Sequence, residues 1–459
     1  MATSLQTPDK IRTLQRKLYL KAKAEPDFRF YLLYDKIHRE DVLRHAYELT
    51  RSNKGAPGVD GVSFAMIEAA GLEEWLSDIR KDLIEKTYKP APVRRVMIPK
   101  PGGNGERPLG VPTIRDRTVQ AAAKLVLEPI FEADLDPGAY GYRPKRGGLN
   151  AIKEVHALLC RGYTDVVDAD LAQYFDTIPH RELMQSVARR IVDRHVLRLV
   201  KMWLKAPIEE RDEQGKRRMS GGRHSTCGTP QGGVASPLLA NLYMNRFLKY
   251  WRQSGRNAAY RAHVVSYADD FVILSRRHAE EAKTWTGQVM NRLGLTLNEA
   301  KTSVRNARHE RFDFLGYSFG PHRFPRDGRW YLGASPSKKS VQRIKDKVGE
   351  ILGPGNQAPW AEVCAQLNGL LRGWRSYFDH GSRQRAYEAV DQHVFHSVRR
   401  FLVRRHKVPT HGTRRFTYKA VYGELGVLRL NPAAVTRRRV PRGEASRRAQ
   451  CGKSARCVR

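Results

Sequence analysis

Apolar residues along this chain recur at two spacings, and the switch between them marks out its elements. Leu72, Leu76, Ile79 and Leu83 recur at helical spacing and predict an amphipathic helix over 72–86. Val119, Ala123, Val126, Leu127 and Ile130 predict a helix over 116–131, and Leu238, Leu239 and Leu242 another that opens after Gly232-Gly233. Two short apolar runs, His263-Val264-Val265-Ser266 and Phe271-Val272-Ile273-Leu274, predict buried strands joined by a tight turn. Val166-Val167 starts a further strand, along which Asp168 and Asp170 share one face by two-residue alternation. Strands and helices alternate from 165 to 320. From about 336 to 425 the pattern turns mostly helical. Leu367, Leu370, Leu371, Trp374 and Phe378 make one stripe there, and Val390, Val394, Val398 and Phe401 another. Residues 1–40 carry short helical patterns. Gly and Pro mark a loop over 53–61, and Gly102-Gly103-Asn104-Gly105 reads as the turn of a hairpin. No internal repeat is visible.

Charge narrows the partners. The formal net charge is +36 over 459 residues. That excess calls for a polyanion and for salt-dependent binding. A membrane-surface protein is disfavoured, because the chain has neither a long basic amphipathic anchor nor an apolar stretch long enough to span a bilayer. The N-terminus shows no signal-peptide hydrophobic region. The cysteines, Cys160, Cys227, Cys364, Cys451 and Cys457, are odd in number and far apart. They fit reduced thiols in a cytoplasm rather than a disulfide framework or zinc site. Residues 437–459 hold nine Lys or Arg and one Glu, a composition expected to be disordered. The length allows two or three domains.

The chemistry centres on Tyr267-Ala268-Asp269-Asp270, a pair of acids inside an apolar run. Burying paired charges costs several kcal/mol unless something compensates them. Hard divalent cations prefer carboxylate oxygens. A solvated Asp-Asp turn would explain four residues alone; a third acid, Asp170 at the end of the Val166-Val167 strand, argues against it. Asp168 admits either a metal contact or a structural role. Asp176 fits a cap or a structural ion pair. Between the acids, Thr229-Pro230-Gln231-Gly232-Gly233 opens a helix whose N-terminal amides can approach a nucleotide or base pair.

The order of these motifs resembles the reverse transcriptases encoded by bacterial group II introns and their group II-like relatives, over residues 45 to 430. Arg94 to Pro101 with Glu106 to Pro112 looks like the first finger motif, and Gly141-Tyr142-Arg143-Pro144 like the second. Asp170 and Phe175 fall in the first palm motif. Thr229 to Gly233, Ser236 to Asn241, Tyr267 to Asp270, Gly294 to Thr302 and Phe312 to Tyr317 follow in the family's order. Leu367 to Phe378 resembles its thumb, or maturase, domain.

The resemblance implies an α+β right-hand polymerase. Fingers and palm, the palm an RRM-like antiparallel sheet with packed helices, precede an α-helical thumb/maturase domain. The implied division is an N-terminal extension 1–44, fingers 45–164, palm 165–325, thumb/maturase (X) domain 326–430 and basic tail 431–459. The activity implied is RNA-directed DNA polymerisation by two-metal nucleotidyl transfer, with help to splicing of a group II intron. Asp170, Asp269 and Asp270, beside the Leu171 main chain, would hold two Mg²⁺ ions, with Mn²⁺ as a substitute. Lys100 and Arg107 would meet the triphosphate. Gln231 would lie against the nucleotide, and Phe175 would block a ribose 2′-hydroxyl. Lys301 matches a palm lysine that gives a proton to pyrophosphate. Arg143, Arg399, Arg400, Arg404 and Arg405 would contact nucleic acid. The partners would be RNA template, DNA primer, deoxynucleotides and structured intron RNA, with no membrane, in a bacterial cytoplasm. Two other readings stay open: a maturase that binds RNA without polymerising, and a domesticated relative in DNA repair or phage defence. The family's C-terminal endonuclease is not expected, since its His-rich site and Cys pairs are missing from the sequence.

Overall fold

The computed structural model describes residues 5–99, 105–211, 214, 216–324 and 327–431. It divides into two compact units, Met1–Ala334 and Ser335–Arg459.

The first unit is built around the helix Ile114–Glu132, which is buried on nearly every side. Its buried surface includes polar groups that find partners, Asp116 accepting from the Tyr88 hydroxyl and Arg117 donating to the Pro112 carbonyl, and the helices Asp9–Ala24 and Glu40–Ser52 pack on it. The N-terminal residues are therefore part of this core: Ile11, Leu18, Leu33 and Ile37 are buried, and the expected division at residue 45 falls inside the helix Glu40–Ser52. The expected helix over 72–86 spans Leu72–Glu85, and that over 116–131 spans Ile114–Glu132.

In chain order the described strands are β1 (Val93–Pro99), β2 (Glu106–Val111), β3 (Asp165–Asp170), β4 (Pro207–Arg211), β5 (Arg217–Gly221) and β6 (Ala262–Tyr267). They continue with β7 (Asp270–Ser275), β8 (Ser303–Asn306), β9 (Phe312–Phe314), β10 (Tyr317–Arg323) and β11 (Trp330–Pro336). They form three sheets, ordered β2-β1-β4-β5, β6-β7-β3-β8 and β11-β10-β9. β1 and β2 make the expected hairpin, paired from Arg94–Val111 to Pro99–Glu106; its turn lies outside the described residues. The second sheet is wholly antiparallel. Its central strand β7 is buried from Phe271 to Ser275, and the helices Ser236–Gln253 and Ala279–Arg292 join it in the core through Phe247, Phe271 and Trp285. Cys160, Cys227 and Cys364 are free thiols. No described helix is long and apolar enough to cross a membrane.

The described part of the second unit is built on the α-helices Lys338–Ile351, Trp360–Tyr377 and Gln384–Arg405, followed by a π-helical turn at Ala420–Glu424. Val363, Leu367, Leu371, Val390, Val394 and Val398 form its core, as their spacing requires. Its last described residues are stitched down by polar contacts. The buried Asp391 carboxylate accepts from the Leu430 and Asn431 amides at 2.9 and 3.0 Å. Asn368 accepts from the Leu428 amide at 2.6 Å and donates to the Gly426 carbonyl at 2.8 Å. The unit begins later than the expected boundary at 326, because β11 pairs back on β10 and stays with the first unit as far as Ala334. The basic tail from 432 onward lies outside the described residues.

Candidate active site

The acids converge at one end of the antiparallel sheet. The β3–β7 ladder ends with Asp170 opposite Asp270, and the β6–β7 ladder ends with Tyr267 opposite Asp270. Ala268 and Asp269 make the two-residue turn between β6 and β7. Ala268 adopts φ +59°, which an L-residue enters at a cost of about 1–2 kcal/mol. The turn is held from outside by the segment 138–141. Ser266 donates its amide to the Gly138 carbonyl at 2.8 Å and accepts from the Tyr140 amide at 2.8 Å. Gly141 then lies flat against the Tyr267–Ala268 backbone, where a Cβ would strike the Ala268 nitrogen. Asn241 fixes Gly141 in turn by donating to its carbonyl at 2.6 Å.

Asp170 is gripped from the following loop. Lys301 donates from Nζ to Asp170 Oδ2 at 2.9 Å, Asn298 donates from Nδ2 at 3.3 Å, and the Asn298 amide donates to the Asp170 carbonyl at 2.8 Å. The hydrogen bond to Asp170 holds the Lys301 ammonium above its ordinary value. Leu171 follows Asp170 just past the end of the β3–β7 pairing, its side chain buried.

Crowding by the protein, then the charges of Asp269, Asp170 and Asp168, push the Asp270 carboxyl up to about 6, with Lys301 opposing. Asp270 is nonetheless exposed to solvent, so its neighbours' negative charge is the part that a bound cation would relieve. Asp168 also sits at about 6; burial raises it, Arg305 lowers it, and Asp170 and Asp313 raise it further. Among the described residues no three acids already converge tightly enough to ligate one ion. Lys301 occupies Asp170 in their place. The donor set still suits a hard cation: clustered carboxylate oxygens in which burial and neighbouring negative charge raise the Asp270 carboxyl to about 6.

A pH dependence follows. A carboxyl whose folded value is raised above its unfolded value binds its proton first in the folded state. The metal-free protein therefore gains stability as pH falls from about 6 toward 4, and loses that gain as pH rises through about 6. A cation competes with that proton. Added Mg²⁺ is expected to raise Tm at about pH 7.5 and hardly at about pH 5. Equal increments at both pH values in thermal melts against EDTA would count against this site.

The nucleotide-side residues are partly assembled. Arg107 is exposed on β2, opposite Ile98. Tyr142 links it to the acids: burial, then the Asp269 charge, raises the Tyr142 phenol, while Arg107 lowers it. Lys100 lies outside the described residues. Gln231 donates from Nε2 to Asp176 Oδ2 at 3.3 Å, so Asp176 orients Gln231; burial raises the Asp176 carboxyl, and the charge of Arg95 lowers it. The Gln231 carbonyl accepts from the Gly110 amide at 2.5 Å. Gly232, at φ +105°, lets the two backbones meet. β2 is thereby docked on the loop that carries Gln231. Phe175 is half-buried, and its carbonyl accepts from the Thr229 amide at 2.7 Å.

Two expectations need correcting. Arg143 is buried, not displayed to nucleic acid. Its Nε and Nη2 pair with Glu132 at 3.0 and 2.6 Å, and Nη1 donates to the Asp136 and Ala139 carbonyls at 2.6 and 2.7 Å. It braces the segment that supports the β6–β7 turn. Nor do the four helical arginines act as one cluster. Arg404 donates to the Leu352 carbonyl at 3.2 Å, and Arg405 to those of Ala358 and Gln357 at 2.7 and 3.3 Å. They staple the end of their helix to a neighbouring connection. Arg400 is exposed, and Arg399 lies over Phe395 at 5.2 Å. Gly141, Asn241 and Asn298 have roles that sequence reasoning did not assign. All three were inside recognised motifs, Gly141 in Gly141–Pro144, Asn241 in Ser236–Asn241 and Asn298 in Gly294–Thr302, but the motifs carried no sign of these contacts.

Residues 98–319 match the model of the reverse transcriptase (RNA-dependent DNA polymerase) domain, and 341–423 that of the group II intron maturase-specific domain. Protein YkfC of Escherichia coli (strain K12) is 36% identical over 345 residues, covering 67% of this chain and 87% of the relative. The group II intron-encoded protein LtrA of Lactococcus lactis subsp. cremoris is 34% identical over 221 residues, covering 48% of this chain but 35% of LtrA. A putative COX1/OXI3 intron 2 protein of Saccharomyces cerevisiae (strain ATCC 204508 / S288c) is 27% identical over 336 residues, 60% of this chain and 37% of that protein. The first unit is thus an RNA-directed DNA polymerase domain of the fingers-and-palm kind, a class that uses divalent metal ions and acts on nucleic acid. The chain belongs to the family of group II intron reverse transcriptase/maturase proteins.

Proposed function

We propose that this protein extends a DNA primer on an RNA template with deoxynucleotides, and that its helical unit serves as thumb and maturase surface for structured intron RNA. The observation that carries the reading is the meeting of Asp170 and Asp270 across β3 and β7, with Asp269 in the adjoining turn. Asp170, Asp269, Asp270 and the Leu171 carbonyl would hold two Mg²⁺ ions. When bound, these activate the primer hydroxyl and neutralise charge on the phosphates. The 3′-oxygen bonds to the α-phosphorus, the bond to pyrophosphate breaks, the hydroxyl proton leaves, and pyrophosphate gains a proton. This chain's residues orient and balance that exchange. Lys301 neutralises Asp170 before substrates arrive and lies within reach to protonate the departing pyrophosphate. Arg107, and Lys100 by resemblance, offset triphosphate charge. Gln231, oriented by Asp176, and the half-buried ring of Phe175 bound the nucleotide's sugar and base. The setting we propose is a bacterial cytoplasm.

The direct test is extension of a DNA primer on RNA with Mg²⁺ and with Mn²⁺, beside a splicing assay on intron RNA; no extension with either metal leaves the maturase-only reading. Sugar choice tests one residue. Phe175→Ala is expected to raise ribonucleotide insertion relative to deoxynucleotide by roughly 10- to 100-fold, with DNA synthesis largely kept. Unchanged discrimination in single-nucleotide kinetics removes Phe175 from this role.

The helical arginines separate by role. Arg399→Ala with Arg400→Ala is expected to make the slope of log affinity against log salt shallower by about 0.7–0.9 for each phosphate that is no longer neutralised. Arg404→Ala with Arg405→Ala, which removes hydrogen bonds to backbone carbonyls, is expected instead to lower Tm. A salt titration with RNA and a thermal melt on both double variants decide it; a slope unmoved by the first pair assigns Arg399 and Arg400 to a solvated face.

A further inference from the structure

The hairpin of β10 and β11 falls between the two matched family segments, which end at 319 and resume at 341. Its inner end is ordinary core: Phe319 is buried and stacks on Phe312 at 5.2 Å. Its outer end is different. Trp330 is 69% exposed and Phe324 45% exposed. The Phe324 and Tyr331 rings pack at 4.1 Å, while among the described residues the Trp330 indole has no ring contact or side-chain hydrogen bond. An indole left in water costs free energy that packing elsewhere would recover, and Trp330 with Phe324 puts two large exposed rings on one hairpin, a candidate interaction surface.

Its surroundings say which kind. Arg323 is held along the hairpin by donating from Nε to the Gly328 carbonyl at 3.0 Å. Arg329, 80% exposed at its side chain, is oriented by Asp327 at 2.7 Å. Arg311 donates to the Pro321 carbonyl at 2.9 Å, bringing a third guanidinium to the same strand. Backbone bonds join the two strands beside the tip: the Phe324 amide donates to the Arg329 carbonyl at 2.9 Å, and the Gly328 amide to the Phe324 carbonyl at 3.0 Å. An exposed indole on a hairpin that also carries Arg323 and Arg329 matches an unpaired nucleotide, whose base offers a π-face and whose phosphates offer charge. A duplex hides its base faces and presents phosphates alone.

We propose that the β10–β11 hairpin is a second nucleic-acid site, in which Trp330 stacks on an unpaired base and Arg323 and Arg329 contact the flanking phosphates. It rests on the reading of this chain as a nucleic-acid enzyme but needs no metal and no polymerisation. The test therefore runs in EDTA. Single-stranded RNA of about 12 nucleotides carrying 4-thiouridine is photocrosslinked to the full chain, and adducts are mapped by mass spectrometry. Crosslinks on the peptide holding residues 323–331 are expected; crosslinks confined to other regions overturn the site, and this arm uses unaltered protein. In parallel, Trp330→Ala is expected to weaken binding of the unstructured RNA by about 5- to 100-fold, while Trp330→Phe keeps most of it. DNA of the same sequence distinguishes base stacking common to both nucleic acids from an RNA-selective contact. Blunt duplex should bind Trp330→Ala as it binds the wild type. A loss of equal size on the duplex, or no loss on any strand, overturns base stacking. Primer extension with Mg²⁺ on the same preparations keeps the two readings apart: extension with no hairpin crosslink refutes the hairpin site alone, and a hairpin crosslink with no extension refutes the polymerase alone.

Discussion

Asp269→Asn is expected to cut RNA-templated primer extension by on the order of a thousandfold or more, with RNA affinity within about twofold of wild type. Asp170→Asn should match it for a different local reason. Asp170 lies opposite Asp270 and holds Lys301 at 2.9 Å, so the amide both removes a hard anionic donor and releases the lysine. The substitution changes charge with almost no change of shape, so misfolding does not explain the loss. Stability supplies an independent sign. Asp269, Asp170 and Asp168 all push the Asp270 carboxyl up, so the cluster is repulsive in the metal-free protein. Asp270→Asn should therefore leave Tm unchanged or raised in EDTA, and should abolish the increment that Mg²⁺ gives at neutral pH. Wild-type extension by any two of the three variants, or a marked fall in Tm for Asp270→Asn, is incompatible with an electrostatically strained metal site.

Much of this arrangement was legible because the signals were local. The acids sat in apolar runs whose period gave β3, β6 and β7 and put Asp168 and Asp170 on one face. The helix Ile114–Glu132 was legible for the same reason. What the sequence withheld was non-local or lacked a period. β4 and β5, Pro-Ile-Glu-Glu-Arg and Arg-Arg-Met-Ser-Gly, extend the first sheet by pairing β4 parallel to β1; β5 is exposed throughout, so no hydrophobic alternation marks it. The segment 138–141 bridges to β6 through backbone bonds with Ser266, a contact that no periodicity marks. A buried arginine looks like an exposed one in a sequence: Arg143 was read as a nucleic-acid contact because Glu132 and the Asp136 and Ala139 carbonyls are brought to it only by folding. Arg404 and Arg405 stay exposed, but their hydrogen bonds to the Leu352, Gln357 and Ala358 carbonyls were equally invisible, since those partners lie in the connection at 352–358.

The support beneath the catalytic turn gives the other large effect. Gly141→Ala is expected to lower extension by about 100-fold, because displacing a catalytic group by about 1 Å costs that much. The backbone at Gly141 is not in the left-handed region, so the single added methyl is the whole perturbation. It meets the Ala268 nitrogen and the Tyr267 carbonyl carbon, main-chain atoms that cannot rotate aside. Either the 138–141 segment lifts from β6, breaking the bonds to Ser266, or the turn carrying Asp269 shifts. Overpacking of this kind costs typically about 1–3 kcal/mol, so Tm should fall by several degrees while the domain stays folded. Gly138→Ala provides the comparison. Its Cβ would lie 2.5 Å from the Val264 carbonyl oxygen, on the same bridge but farther along β6 from the acids. It should cost comparable stability and less activity. RNA binding should survive in both, because the collision is internal. Should Gly141→Ala extend primers at the wild-type rate, or should the two variants lose activity only in proportion to their Tm, the 138–141 segment is packing alone and the position of Asp269 does not depend on it.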